Sequence, residues 1–223
     1  MNHQISQKAS VPAELRTTSK QGKPGRTQAQ RTELSDQKMF DTTVRLIVEK
    51  GPENTRLTDV GIDAGYSRGL ASNRFGNKDK LFNFVVLRLG DIWLQQLKQA
   101  TVNKTGVQAI ECAIEQHYQF CVDAPDYVYT FYTLWFESVN SASELSRTIQ
   151  SIHQRRFQDV VNWIVNDPNI STSAKRDADS IAAQFSASVI GIVYYWLSNP
   201  KKLHETKRLH DGLANTMRRL IEI

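Results

Sequence analysis

The chain has 223 residues, 40% hydrophobic and 23% charged, the make-up of a globular protein with a sizeable core and not of a disordered or fibrous one. Two cysteines exclude a disulfide framework, and the N-terminal stretch has no apolar run of the kind that forms the core of a signal peptide. The formal charge of +5 is uneven: residues 1–90 carry 15 basic and 9 acidic side chains, the remainder 13 and 14, so a polyanion-binding end is expected on a neutral body.

The expected setting is cytoplasmic, with reduced thiols. No cofactor is expected, because the five histidines and two cysteines show no metal-ligand spacing.

Residues 1–34 are polar and basic and read as a flexible arm. Lys20, Lys23, Arg26 and Arg31 suit tracking a DNA backbone or groove, and equally a solvated tail. Ser35 is placed to cap a first helix with Phe40, Val44, Ile47 and Val48 on one face, ending at Gly51–Pro52. Two short helical segments, 57–64 and 68–75, are joined through Gly65, Tyr66 and Ser67. Asn77 caps a long helix from Lys78, with Leu81, Val85 and Leu89 as its stripe. Further helical runs are expected at 107–123, 127–140, 142–166, 172–198 and 203–221, with Ser141 and Glu144 at capping-box spacing. No strand pattern interrupts them, so the fold class is all-α. The uncharged run 181–197 is shorter than the roughly 20 residues a membrane span needs and carries Gln184, Ser186 and Ser188. It reads as a packed helix, and no membrane partner is expected.

The informative stretch runs from Leu57 to Leu81. Two short helices around a tight Gly-containing turn are the pattern of a helix-turn-helix. Thr55 is expected to accept from free N–H groups of the first, and Asp59 suits its positive end. Gly61 leaves room for a close crossing, and Gly65 allows the left-handed turn. Ser67 is expected to cap the second helix, while Val60, Ala64, Ala71 and Phe75 face inward. Arg68, Gly69, Leu70, Ser72, Asn73 and Arg74 remain outside, and none is acidic. A helix entering the major groove needs this character: Arg pairs with guanine, Asn with adenine, and Ser72 and Arg74 reach phosphates. Lys78 adds charge at the next helix start. The candidate DNA contacts are therefore Thr55, Arg56, Ser67, Arg68, Gly69, Leu70, Ser72, Asn73, Arg74 and Lys78.

On Gly51, Thr55, Asp59, Val60, Ala64, Gly65, Ser67, Gly69, Phe75, Gly76, Lys78 and Leu81, residues 36–81 resemble the N-terminal DNA-binding domain of TetR-type transcriptional regulators, without a gap. Ser72 stands where that family usually has Tyr, Ala71 where it has Leu, and Gly61 where it has Ala. Behind the arm at 1–34, the resemblance implies a three-helix DNA-binding domain at 35–82. It also implies a helical ligand-binding and dimerisation domain at 83–223, and repression relieved by a small molecule.

Eight of the chain's 20 aromatic residues fall between Tyr118 and Phe136. Two readings stay open for this cluster: an aromatic-walled effector pocket or ordinary core. The candidate ligand contacts are His117, Tyr118, Tyr132, Trp135 and Phe136, with Glu115 and Glu137 as further polar groups. An aromatic cage for an organic cation is one form such a pocket takes. Residues 172–221 are the expected homodimer surface, because a two-fold dimer reads a near-palindrome in double-stranded DNA. The expected protein is a non-enzymatic, ligand-released repressor. The alternatives are a ligand-independent or activating regulator and a helical enzyme with an accessory DNA-binding motif.

Overall fold

The computed structural model describes residues 27–139 and 141–222, and the part of the expected arm up to residue 26 lies outside the described residues. Among the described residues there are ten α-helices and no strand: α1 (Gln28–Asn54), α2 (Leu57–Asp63), α3 (Leu70–Phe75), α4 (Lys78–Thr101), α5 (Gly106–Asp123), α6 (Pro125–Ser138), α7 (Glu144–Val165), α8 (Thr172–Arg176), α9 (Ala178–Ser198) and α10 (Thr206–Glu222). A 3₁₀ turn, Pro200–Glu205, links the last two.

The first helix begins earlier than expected. Thr27 and Gln30 form a reciprocal capping box, so residues 28–34 are helix and not arm. Ser35 therefore lies inside α1, where its hydroxyl donates to the Thr32 carbonyl. Asn77 caps α4 as expected, accepting from the Lys80 N–H. α7, in contrast, is capped by Ser143 and not Ser141, whose hydroxyl accepts from the Ser143 N–H.

One core runs through both ends of the molecule. Met39, Phe40 and Ile47 of α1 pack with Val60, Ala71, Phe75 and Leu81 in the N-terminal unit. α4 carries the same apolar stripe onward through Val85, Leu89, Trp93 and Leu97 into a bundle with α5, α7, α9 and α10. With 24 residues it is about 36 Å long, a single rod shared by both domains. A second junction lies between α1 and α6, where Phe40 meets Tyr127 edge to face at 5.6 Å. Arg88 lies over the rings of Phe40 and Phe84 and donates to Glu33 and Gln37 of α1. α9 is long and apolar enough to cross a membrane. Its Ile181, Phe185, Val189, Ile192 and Trp196 stripe is instead buried in the bundle.

Candidate nucleic-acid interface and effector cavity

The α2–α3 unit is shaped by backbone proximity. A Cβ on Gly61 would lie 2.7 Å from the Ser67 carbonyl oxygen, so only glycine allows the turn to close over α2 at this distance. Gly65, at φ +82°, takes the left-handed conformation that reverses the chain after α2. Two expected caps differ. Thr55 is fully buried and its hydroxyl donates to the Gly51 carbonyl, so its side chain closes the α1 end and does not face DNA. α3 starts at Leu70 behind Gly69 with no side-chain cap, and Ser67 contributes its carbonyl to the Leu70 N–H. In both cases a backbone partner four or three residues away wins over the helix end.

Val60, Ala64, Ala71 and Phe75 are buried as expected. Outside lie Arg56, Ser67, Arg68, Gly69 and Asn73, with Leu70 and Ser72 half-buried. The two acids of α2 are drawn back towards α1: Asp59 pairs with Lys50 at 2.7 Å and Asp63 with Arg45 at 2.9 Å. The Lys50 hydrogen bond holds the Asp59 carboxyl below its ordinary range. From Ser67 to Lys78 there is no carboxylate in the chain, so the exposed edge of α3 is open to an anion.

Arg74 is engaged within the fold. It donates through Nε to Asp36 Oδ1 at 3.0 Å and through a terminal nitrogen to Oδ2 at 2.5 Å, a bidentate pair with a carboxylate that is only 7% exposed. That hydrogen bonding raises the guanidinium's pKa. The expected phosphate contact of Arg74 would have to compete with this pair, which makes Arg74 first a strut between α1 and α3. Lys78 donates to the Glu53 carbonyl at 2.8 Å and lies over the Phe82 ring. Glu137, near the end of α6, is close enough to feel both Glu53 and Lys78. Burial and Glu53 push its carboxyl up, and Lys78 opposes them.

The five expected ligand contacts do not converge on one site. A cavity of about 30 Å³ between α4, α5, α6 and α7 is lined by His117 and Tyr132, together with Trp93, Phe131, Ile152 and Arg156. Tyr118 packs edge-on against His210 beneath Lys207. Trp135 stacks on Phe136 at 5.6 Å and lies 3.7 Å from the His153 ring, while Phe136 is partly exposed beside Tyr194. Much of the aromatic cluster is thus packed core. Glu115 is an exposed partner of Lys207. Among the described residues that line the cavity there is no carboxylate, and the one charged side chain is Arg156, which opposes an organic cation.

His117 and His210, 93 residues apart in sequence, meet at 2.9 Å between Nδ1 and Nε2, with Cys121 Sγ 3.9 Å from His117 Nδ1. The three ligating atoms lie within 4.8 Å of one another, a grouping that spacing along the sequence does not display. His117 and Cys121, one helical turn apart, were the available signal. His210 Nδ1 donates to the Thr206 carbonyl at 2.8 Å, which leaves Nε2 to accept from His117 Nδ1–H. Burial lowers the pKa of both histidines and raises the Cys121 thiol to about 12. A neutral hydrogen-bonded chain accounts for the group, and the nearby Arg156 charge disfavours a dication there.

Residues 40–85 match the profile of bacterial regulatory proteins of the tetR family. No curated protein matches the sequence. Among solved structures, a transcriptional regulator from Rhodococcus sp. Rha1 superposes with a TM-score of 0.73 at 17% identity over 85% of this chain and 98% of that one. A regulator from Saccharomonospora viridis in complex with choline gives 0.72 at 16% over 85% and 98%. FadR from Bacillus subtilis in complex with stearoyl-CoA gives 0.65 at 15% over 80% and 97%. At these identities the likeness is one of fold.

Proposed function

We propose that this chain, whose residues 40–85 match the tetR family of bacterial regulatory proteins, is a DNA-binding transcriptional regulator and not an enzyme: a cytoplasmic homodimeric repressor of a short inverted repeat, released by a small molecule. The observation that carries the DNA-reading part is the acid-free outer edge of α3 and its turn. Arg68 and Asn73 reach base edges there, and Ser67, Ser72, Arg56 and Lys78 hold the backbone.

The support for a dimer comes from α9 and α10. α9 is apolar along its length, yet only 39% of its most apolar stretch is buried. Ala183, Ala187, Gly191 and Tyr194 recur at helical spacing on its exposed side, and Tyr194 is 64% exposed. Leu209 on α10 is exposed as well. A Cβ on Gly191 or Gly212 would meet nothing within 4 Å, which suits close approach by the same helices of a second copy.

Effector control follows from the shared rod. Leu89, Gly90 and Trp93 of α4 wall the cavity, and the same helix begins with Lys78. An occupant that shifts Trp93 tilts α4 and with it the N-terminal domain. A coupling of about 1–3 kcal/mol changes operator affinity roughly 5–150-fold. The small size of the cavity, about 30 Å³, favours a second reading, a regulator that needs no effector.

Selection of bound sequences from random double-stranded DNA tests the reading. A palindrome, bound by a particle of twice 25.4 kDa, is the expected result. An unpaired half-site bound by a monomer would contradict it. Loss of binding with a compound that saturates the cavity separates the effector reading from the second one.

A further inference from the structure

We propose that the cavity between α4, α5, α6 and α7 takes an apolar carboxylic acid, with its carboxylate on Arg156. This rests on the reading of that cavity as the effector site and assigns its ligand a charge and a shape.

Arg156 projects from α7 to the cavity wall and has no carboxylate partner among the described residues. The groups that feel its charge are Tyr132, His117, Cys121 and His153, and burial favours the neutral form of each. Asp159, the acid one turn along α7, is opposed instead by Arg155. A half-buried guanidinium among neutral groups is costly unless an anion joins it.

One more donor at the same wall lacks a partner. Trp93 Nε1–H is buried and makes no hydrogen bond, while the buried Tyr132 hydroxyl has the Arg156 guanidinium as its polar neighbour. Trp Nε1 can only donate, and the guanidinium has five N–H groups and no acceptor. What the wall lacks is therefore an acceptor, and a carboxylate oxygen supplies it with the charge that Arg156 needs.

The remainder of the site sets the shape. Past Trp93, His117 and Arg156 lies a second void of about 10 Å³, walled by Leu97, Val160, Trp163 and Phe185. The two voids share those three residues as walls, so a ligand that displaces the Trp93 side chain would occupy both as one slot, with Arg156 at their common wall. Both ends are hydrocarbon or aromatic. The ligand is an anion with an apolar body, and the slot forms as it enters.

Decanoate and 4-phenylbutyrate, each set against the alcohol and the primary amine of the same skeleton, are the probes. Thermal shift and calorimetry read binding, and release from the selected operator reads function. The expected result is saturable binding of a carboxylate, no binding of the amine, and a loss of about tenfold or more in Arg156→Gln, with Arg156→Lys between them. Arg156→Gln should keep operator binding and unfold no earlier than the parent without ligand, because it removes an uncompensated charge. Carboxylate affinity unchanged in Arg156→Gln, an amine that binds as well, or no carboxylate binding up to its solubility limit overturns the proposal. Val128→Ile, which adds one methylene to the cavity wall, tells the two failures apart. If the amine or alcohol binds and Val128→Ile weakens it, the cavity stands and the anion assignment fails. If carboxylate binding ignores both Val128→Ile and Arg156→Gln, the cavity itself is the wrong site.

Discussion

The DNA-binding end and the helical bundle differ in how completely their polar groups are used. Between residues 35 and 82 no buried side-chain nitrogen or oxygen among the described residues lacks a hydrogen-bond partner. Asp36 holds Arg74, Lys50 holds Asp59, Arg45 holds Asp63, and the Thr55 hydroxyl closes on Gly51. The buried side-chain atoms without a partner all lie beyond that unit: Asn83 Oδ1, Trp93 Nε1, Thr130 Oγ1, Tyr132 Oη and His153 Nε2. Each such group costs about 1–3 kcal/mol. One domain is a finished scaffold that presents a fixed face, and the other keeps unmet hydrogen bonds around a small cavity. That division suits a reader driven by a sensor.

Acid should break the bundle first. His117, His153 and His210 are all held below the ordinary imidazole value of 6.5 by burial, His153 to about 3. The unfolded chain therefore binds their protons and the folded one does not, so their contribution is intact above about pH 6.5 and lost as pH falls below it. Each histidine that stays neutral while its unfolded counterpart is protonated adds about 1.4 kcal/mol per pH unit to the slope. Glu137 and Asp159, whose carboxyls burial raises, offset part of this nearer pH 5. Urea unfolding between pH 7.5 and 5.0 checks it, and His153→Gln should flatten the curve. A pH-independent midpoint would mean the histidines are not buried neutral.

Glycine replacements sharpen the contrast. Gly61→Ala places a methyl 2.7 Å from the Ser67 carbonyl oxygen, with an expected cost of about 1–3 kcal/mol and loss of operator binding while the bundle's helicity persists. Gly191→Ala meets nothing and should leave monomer stability unchanged or raise it by up to about 1 kcal/mol. Gly191→Arg should keep the fold but halve the particle mass in light scattering. Lys78→Ala should weaken binding to all DNA sequences alike and lower the salt slope by about 1. An unaltered slope would leave Lys78 as a strut to the Glu53 carbonyl.

The same contrast explains what was readable in advance. The α2–α3 unit is written in short-range terms, so Gly61, Gly65, Asn77 and the inward-facing Val60 and Phe75 are legible from their neighbours. Caps are less legible. Thr55, Ser67 and Ser141 each lie within three residues of a helix start, but a competing backbone group takes the bond, and Ser35 lies inside α1, eight residues past the true cap Thr27. In the bundle the deciding contacts are distant. His117 finds His210 93 residues away. Arg156 has no local signature at all: it sits in an ordinary polar stretch, and only its missing partner in three dimensions sets it apart.

The most direct test of the account is discrimination by the double variant Arg68→Ala/Asn73→Ala, measured by fluorescence anisotropy on the selected operator and on unrelated duplex DNA at one salt concentration. Each side chain is expected to contribute about 1–3 kcal/mol of specific affinity. The predicted result is loss of operator preference, with retained weak binding to both duplexes and an unchanged melting curve. A double variant that still prefers the operator as strongly as the parent would contradict the placement of DNA reading on the outer edge of α3.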